Sequence, residues 1–332
     1  MNSSIMAREA ADAARVIANQ LQHNAAICAE LGNTIRDFNP AMVYMVGRGS
    51  SDHAGVFAKY LIEVELNVPV CAAAPSVTSI YGQSLKLDRA LVICISQSGR
   101  SPDILTQVDA ARKAGALVVA LVNDESSPLA EKANVVVPLC AEKEHAVAAT
   151  KSYLATLSAL LQLVAHWGKK SDLLSALNTL PQHLADTVAS PPQLSVAFIT
   201  PLKHCVVLGR GFGYAISREI ALKLKEVCGI HAESFSSAEF LHGPVTLVAN
   251  QLPVLDLRIE DESATAHGEQ MAELTRRGAP IASMHQVGSD VHPRLAPLTL
   301  LQRFYLDIEQ IACSMGRNPD APVGLNKVTQ TL

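Results

Sequence analysis

A short apolar run that ends in a Gly-Arg-Gly turn occurs twice in this chain and limits what it can fold into. Val43-Tyr44-Met45-Val46 runs into Gly47-Arg48-Gly49-Ser50-Ser51, and Cys205-Val206-Val207-Leu208 runs into Gly209-Arg210-Gly211-Phe212-Gly213. Helical periodicity follows each, so both read as strand–turn–helix units. In the first half a strand over Ala90 to Ile95, a helix from Asp103 to Ala116 and a strand over Leu117 to Val122 continue the alternation. In the second half the order is a strand over Pro253 to Leu257, a loop over Arg258 to Ala266, a helix over Glu269 to Arg276 and a strand over Pro280 to Met284. Strands alternating with helices form parallel sheets covered on both faces, and the repetition makes two such lobes.

Before the first strand, residues from about Ser4 to Leu31 read as one long helix with Asn33 as its breaker, and Leu173 to Pro192 reads as a helical linker between the lobes. The expected fold class is α/β, with two doubly wound parallel-sheet lobes (three-layer αβα, flavodoxin-like), an N-terminal helix and a non-helical C-terminal tail. The expected boundaries are 1–34 for the helix, 35–172 for the first lobe, 173–194 for the linker and 195–332 for the second lobe.

Hydrophobic residues make up 49% of the chain and charged residues 17%, which suits packed layers and not disorder. The net charge of −4 comes with no basic stripe, so nucleic acid is not an expected partner and an anionic substrate must be held by local dipoles and hydroxyls. The seven cysteines form no C-x-x-C pair and read as free thiols of a reducing compartment. The N-terminus lacks an apolar signal core, and the longest apolar stretch, Tyr153 to Trp167, is too short to span a bilayer. A soluble, cytoplasmic protein without a membrane partner is expected.

Parallel sheets bind ligands at the carboxyl ends of their strands. At one such end stands Ser96-Gln97-Ser98-Gly99-Arg100-Ser101, a set of hydroxyls, a glycine and backbone N–H groups suited to a phosphate. The same composition also fits an ordinary strand-to-helix turn with a serine N-cap. Ser50 and Ser51 end the first strand of the same lobe. The matching loop of the second half, Arg258 to Ser263, carries three carboxylates and would repel a phosphate, which leaves one phosphate site per chain. A dinucleotide site is not expected, because Asp52 stands where the fingerprint needs its third glycine, and no cofactor is expected.

Glu219, Lys223 and Glu226 share one helix face, either as a surface ion pair or as a buried carboxylate tuned for proton transfer. His242 lies in the forced turn His242-Gly243-Pro244 and can be structural or catalytic. Lys327, in a tail that two prolines and a glycine keep from being helical, can be merely solvated. No His/Cys/Asp cluster has metal-ligand spacing, so no metal is expected.

Seven motifs in this order resemble one family. They are Gly49-Ser50-Ser51, Ser96-Gln97-Ser98-Gly99, Val147-Ala148-Ala149-Thr150-Lys151, Ala221-Leu222-Lys223-Leu224-Lys225-Glu226, His231-Ala232-Glu233, Leu241-His242-Gly243-Pro244 and Leu325-Asn326-Lys327-Val328-Thr329. They are similar to the tandem sugar-isomerase (SIS) domains that form the isomerase half of glutamine–fructose-6-phosphate aminotransferase. The resemblance runs from about Val43 to Thr329. It implies that Ser51, Ser96, Gln97, Ser98 and Ser101 bind the substrate phosphate, with Ser50 beside them, and that the backbone at Val147 and Ala148 contacts sugar hydroxyls. It further implies Glu226 as the proton shuttle between C1 and C2 with Lys223 beside it. Lys327 would meet the carbonyl of the open-chain sugar. His242 would be the ring-opening histidine, contributed across a homodimer interface.

The aminotransferase begins with a glutaminase domain whose nucleophile is an N-terminal cysteine. Here Met1 is followed by Asn2-Ser3-Ser4 and the first cysteine is Cys28, so the expected reaction is the ammonia-releasing one, glucosamine-6-phosphate to fructose-6-phosphate and ammonia. Ala149 in place of a serine, Val323 in place of an arginine and Arg100 in place of an acid leave open galactosamine-6-phosphate, or a fructosamine-6-phosphate cleaved by a deglycase. A non-catalytic sugar-phosphate sensor is the reading of another class. Such regulators carry a DNA-binding module ahead of the sensor, where this chain has one long helix without basic clustering.

Overall fold

The computed structural model describes residues 3–325 and Lys327; Met1, Asn2, Asn326 and residues 328–332, with Val328 and Thr329 of the tail motif, lie outside the described residues. The single helix expected from Ser4 to Leu31 is two helices. α1 covers Ile5–Ala11, a turn falls at Asp12, and α2 covers Ala13–Phe38. Asn33 does not break α2, because Leu31 and Ile35, both fully buried, carry the helical period through it. The break at Asp12 has a tertiary cause, since the chain divides into two compact units and residues 3–14 pack with one while α2 from Arg15 onward packs with the other.

The first lobe comprises residues 15–143 and 151–178 among those described. Its strands are β1 Met42–Val46, β2 Val70–Ala72, β3 Ala90–Ser96, β4 Leu117–Val122 and β5 Val135–Pro138, all parallel in the order β2-β1-β3-β4-β5. Every residue of β3 is buried, as a central strand covered on both faces requires. Its helices are α3 Ser50–Leu66, α4 Pro75–Ser79, α5 Pro102–Lys113, α6 Pro128–Lys132, α7 Lys151–Trp167 and α8 Ser171–Leu177. All of α7 except His166 is buried, so the longest apolar stretch is a core helix. No helix among the described residues is long and apolar enough to cross a membrane.

The second lobe comprises residues 3–14, 144–150, 179–325 and 327 among those described. In chain order it holds α9 Leu180–Ala189, α10 Val196–Ile199, β6 His204–Gly209, α11 Phe212–Cys228, β7 His231–Ser236 and α12 Ser237–Phe240. A 3₁₀ turn over Pro244–Asn250, β8 Val254–Arg258, α13 Ala264–Arg276, β9 Ile281–His285 and α14 Ala296–Ser314 follow. The four strands are parallel in the order β7-β6-β8-β9. The loop expected to reach Ala266 is shorter, because Asp261 accepts hydrogen bonds from the N–H and hydroxyl of Ser263 and starts α13 at Ala264. After α14 the described chain is non-helical to Leu325.

The two sheets share one layout. In each, the chain moves outward from its first strand in one direction and then returns to its other side, so the switch point lies between β1 and β3 in one lobe and between β6 and β8 in the other. The loops that compete for a ligand are therefore those after β1 and β3, and those after β6 and β8. Gly47 is required at the first of these, since a Cβ there would lie 2.8 Å from the backbone carbon of Ser51.

Candidate active site

At the first switch point, Ser50 and Ser51 are the first two residues of α3, and Ser101 precedes Pro102 at the start of α5. Neither helix has a side-chain cap: Ser101 occupies the N-cap position of α5 without its hydroxyl bonding the helix. The reading of this loop as a simple serine-capped turn therefore loses its main support, and two helix N-termini, whose dipoles favour an anion, meet the crevice. The loop is held in shape from beneath. Ser96 Oγ accepts the N–H of Gly99 at 3.0 Å, Asn123 donates its backbone N–H to Gln97 O at 3.2 Å, and Leu129 N–H donates to Gly99 O at 3.2 Å. Gln97, Ser98 and Ser101 stay half-buried. Arg48, unremarked in the sequence, joins the two loops by donating Nε–H to buried Asp103 at 2.6 Å.

Arg100 has a defined place. It donates to Asp124 at 2.8 Å, in the loop after β4, and the Asp124 carboxyl is lowered by its bonds to Ser126 and then to Arg100. Gly99 adopts φ +62, and a Cβ there would approach Ser127 Cβ to 2.6 Å. Ser127 cannot yield freely, because its hydroxyl caps α6 at the N–H of Ala130. Gly99→Ala is therefore expected to destabilise the chain by about 1–3 kcal/mol. Thermal unfolding of the variant beside the parent measures the effect.

α11 carries the second group. Lys223 is 1% exposed and lies 3.0 Å from Glu219 Oε1 and 2.6 Å from Glu226 Oε2. That burial overturns the surface-pair alternative. Burial works against the Lys223 ammonium, but the two carboxylates outweigh it and hold its pKa above the usual value. Glu219 is wholly buried, whereas the Glu226 side chain keeps 20% exposure. Glu226 is thus the one of the two carboxylates that a ligand can reach.

Lys327 is not merely solvated, although its side chain keeps 26% exposure. Its Nζ donates to Glu144 Oε2 at 3.0 Å and to Ala146 O at 2.6 Å, which seats it against the segment that carries Val147 and Ala148. Glu144 is fully buried, and its other oxygen accepts the N–H of Thr150 at 2.9 Å. His242 has an exposed side chain and a backbone N–H bonded to Glu239 O at 3.0 Å; among the described residues no hydrogen bond or ion pair joins it to the Glu226 or Lys327 groups. The structure therefore pairs Lys223 with Glu226 and Lys327 with the 144–150 segment, and among the described residues bonds His242 to neither.

The second switch point is filled by the chain's own side chains. Phe212 stands at the start of α11, where α3 has Ser50, and the Arg294 guanidinium lies 5.0 Å from its ring centroid. Arg294 also grips Glu262 with two bonds of 2.7 Å, which lowers the Glu262 carboxyl to about 2. Nearby, buried His267 bonds Asp256 at 2.7 Å and Ser237 at 2.9 Å, while Asp256 also accepts from Arg258 and Ser283. Burial raises the Asp256 carboxyl, but those bonds outweigh it and hold it below its usual range.

A group held below its normal value contributes stability above that value and loses it as the pH falls. The Glu262–Arg294 contribution is complete above pH 4.5 and disappears toward pH 2, reduced in size by the exposure of Glu262. Unfolding midpoints should fall across that window, and the Arg294→Met curve should be the shallower one.

Comparison with known proteins places this geometry in context. A family model described as SIS domain matches residues 38–166 and 198–300. The glutamine–fructose-6-phosphate aminotransferase (isomerizing) of Clostridium perfringens is 32% identical over 254 residues, which cover 73% of this chain and 42% of that protein. The chain spans about half the length of the curated relatives it matches. A solved structure from Silicibacter pomeroyi DSS-3, of a protein proposed to be a phosphosugar isomerase, superposes with a TM-score of 0.90 at 37% identity over 96% of this chain and all of that one. The fold alone is shared with glucosamine-6-phosphate deaminase of Thermotoga maritima, with a TM-score of 0.78 at 20% identity over 99% of this chain and 100% of that one.

Proposed function

The chain belongs to the SIS-domain family, and from that premise we propose that it is a cytoplasmic phosphosugar isomerase that deaminates glucosamine-6-phosphate to fructose-6-phosphate and ammonia. The observation that carries the proposal is Lys223, an ammonium buried between Glu219 and Glu226 that leaves Glu226 partly exposed. A lysine that stays charged and bonds Glu226 at 2.6 Å fixes the orientation of that carboxylate, as a proton acceptor needs.

In this reading Ser50, Ser51, Ser96, Gln97, Ser98 and Ser101 hold the 6-phosphate, and Val147 and Ala148 meet the sugar hydroxyls through their backbone. The protein acts as a homodimer in which a second copy supplies His242, whose exposed side chain suits that role. His242 transfers a proton from O1 to O5 and the ring C1–O5 bond breaks. Lys327 donates a hydrogen bond to the C1 carbonyl oxygen. Glu226 removes the proton from C2 and delivers it to C1, while the amine gives up one N–H proton to solvent and O1 takes one from it, so the aldehyde with its C2 amine becomes an alcohol with a C2 imine. Water adds to C2, the C–N bond breaks, and ammonia leaves. One water is consumed, and carbon, nitrogen and charge balance.

The test is an ammonia-release assay across 6-phosphorylated glucosamine, galactosamine and fructosamines. Ammonia from glucosamine-6-phosphate alone is the expected result. Release from galactosamine-6-phosphate or a fructosamine-6-phosphate transfers the same chemistry to that substrate. Hexose phosphate interconversion without ammonia makes the chain an isomerase only. No turnover of any of them, with binding retained, makes it a sensor.

A further inference from the structure

Glu9 has no part in the proposed chemistry, yet it is 93% buried, being 7% exposed. One carboxylate oxygen accepts the N–H of His145 at 2.6 Å and the other accepts the N–H of Ala146 at 3.1 Å. These are the two amides just before Val147 and Ala148. The next amide, that of Val147, donates to the backbone oxygen of Asp320 at 3.0 Å. The Asp320 carboxylate returns to α1, accepting the N–H of Ile5 at 2.9 Å and of Met6 at 2.8 Å. Three successive peptide groups are thus fixed from one side, and α1 is tied to both the segment and the tail that carries Lys327.

We propose that Glu9 is a positioning residue that sets the backbone of residues 145–148 for the sugar hydroxyls, with Asp320 as its counterpart on the tail. The inference rests on the reading above that Val147 and Ala148 contact the sugar. A carboxylate suits the task because it offers one acceptor oxygen to each of two adjacent N–H groups. Glutamine keeps the shape but has one acceptor, and its NH₂ would face a second donor. The segment 145–147 then loses one of its three amide anchors.

The experiment compares the full-length chain with Glu9→Gln, using inorganic phosphate and glucitol 6-phosphate, an open-chain hexitol, as probes in calorimetric titrations. The expected result is a loss of about tenfold in affinity for glucitol 6-phosphate, the size of one charge-assisted hydrogen bond, with inorganic phosphate binding unchanged. KM for the amino sugar phosphate should rise by the same factor while kcat stays within about twofold. Equal losses for both probes, or none for either, would overturn the proposal, since a general structural role moves them together. Should Glu9→Gln not fold, Asp320→Asn is expected to give the same split, and its absence counts equally against the idea. If the wild-type chain binds neither probe, the proposed function fails first. Amide hydrogen exchange at residues 145–147 then reads the anchor directly: faster exchange in Glu9→Gln supports it and unchanged exchange refutes it.

Discussion

Glu226→Gln is expected to lower turnover by about 10²–10⁴-fold while leaving the affinity for an open-chain hexitol phosphate essentially unchanged. The glutamine oxygen can still accept from Lys223, whose Nζ now lies 2.6 Å from Glu226 Oε2, so the helix face keeps its shape. What disappears is a group that takes a proton from carbon at neutral pH. The loss should appear equally in kcat and kcat/KM, as it must when an interaction made only in the transition state is removed. Exchange of the C2 hydrogen with solvent should stop as well. Full activity in this variant would remove Glu226 from the mechanism.

Lys223→Met is expected to be the most destabilising substitution in the second lobe. It deletes the cation between two carboxylates, of which Glu219 is wholly buried. Breaking a buried pair by removing one partner typically costs about 3–5 kcal/mol, because the remaining charge has no compensation. The double variant Glu219→Gln, Lys223→Met should recover part of that stability, since Glu226 can turn toward solvent while Glu219 cannot. It should not recover turnover. Chemical denaturation of the two variants and the parent measures the coupling, and a fully additive double variant would show that the three groups do not act together.

Much of the fold was legible because buried parallel strands are near-continuous apolar runs. β3 and β4 could be read from Ala90 to Ile95 and Leu117 to Val122, with β3 extending one residue further. β2 and β5 escaped notice, being three and four residues long, and β7 escaped because His231–Ser236 is polar with only Ala232 buried. The break at Asp12 was illegible for a different reason. The apolar pattern runs unbroken from α1 into α2, and only the existence of two cores to serve divides it.

The candidate site divides along the same line. Spacing alone placed Glu219, Lys223 and Glu226 on one face, but it could not say whether that face was wet or dry. The equivalence of the loops after β3 and β8 was readable from the repeat, and their opposite characters follow from serines in one and carboxylates in the other. The partners of Lys327 and Arg100 were not readable. Glu144 is 183 residues from Lys327, and Asp124 meets Arg100 through a neighbouring strand end; no local pattern encodes either contact.

The bond from Asp320 to Ile5 closes 315 residues of chain, and it has a consequence for how the molecule comes into being. Seven residues are too few for a helix to persist alone in water, where about 12–15 are marginal. α1 therefore leaves the ribosome 315 residues ahead of the Asp320 carboxylate that fixes it. Residues 15–143 and 151–178, which complete the first lobe's sheet, are all available before Asp320 exists. A nascent chain arrested before the tail should hold a finished first lobe and an unfixed 144–150 segment, so the lobe with the serine-rich loop matures ahead of the segment that Lys327 and Glu9 hold.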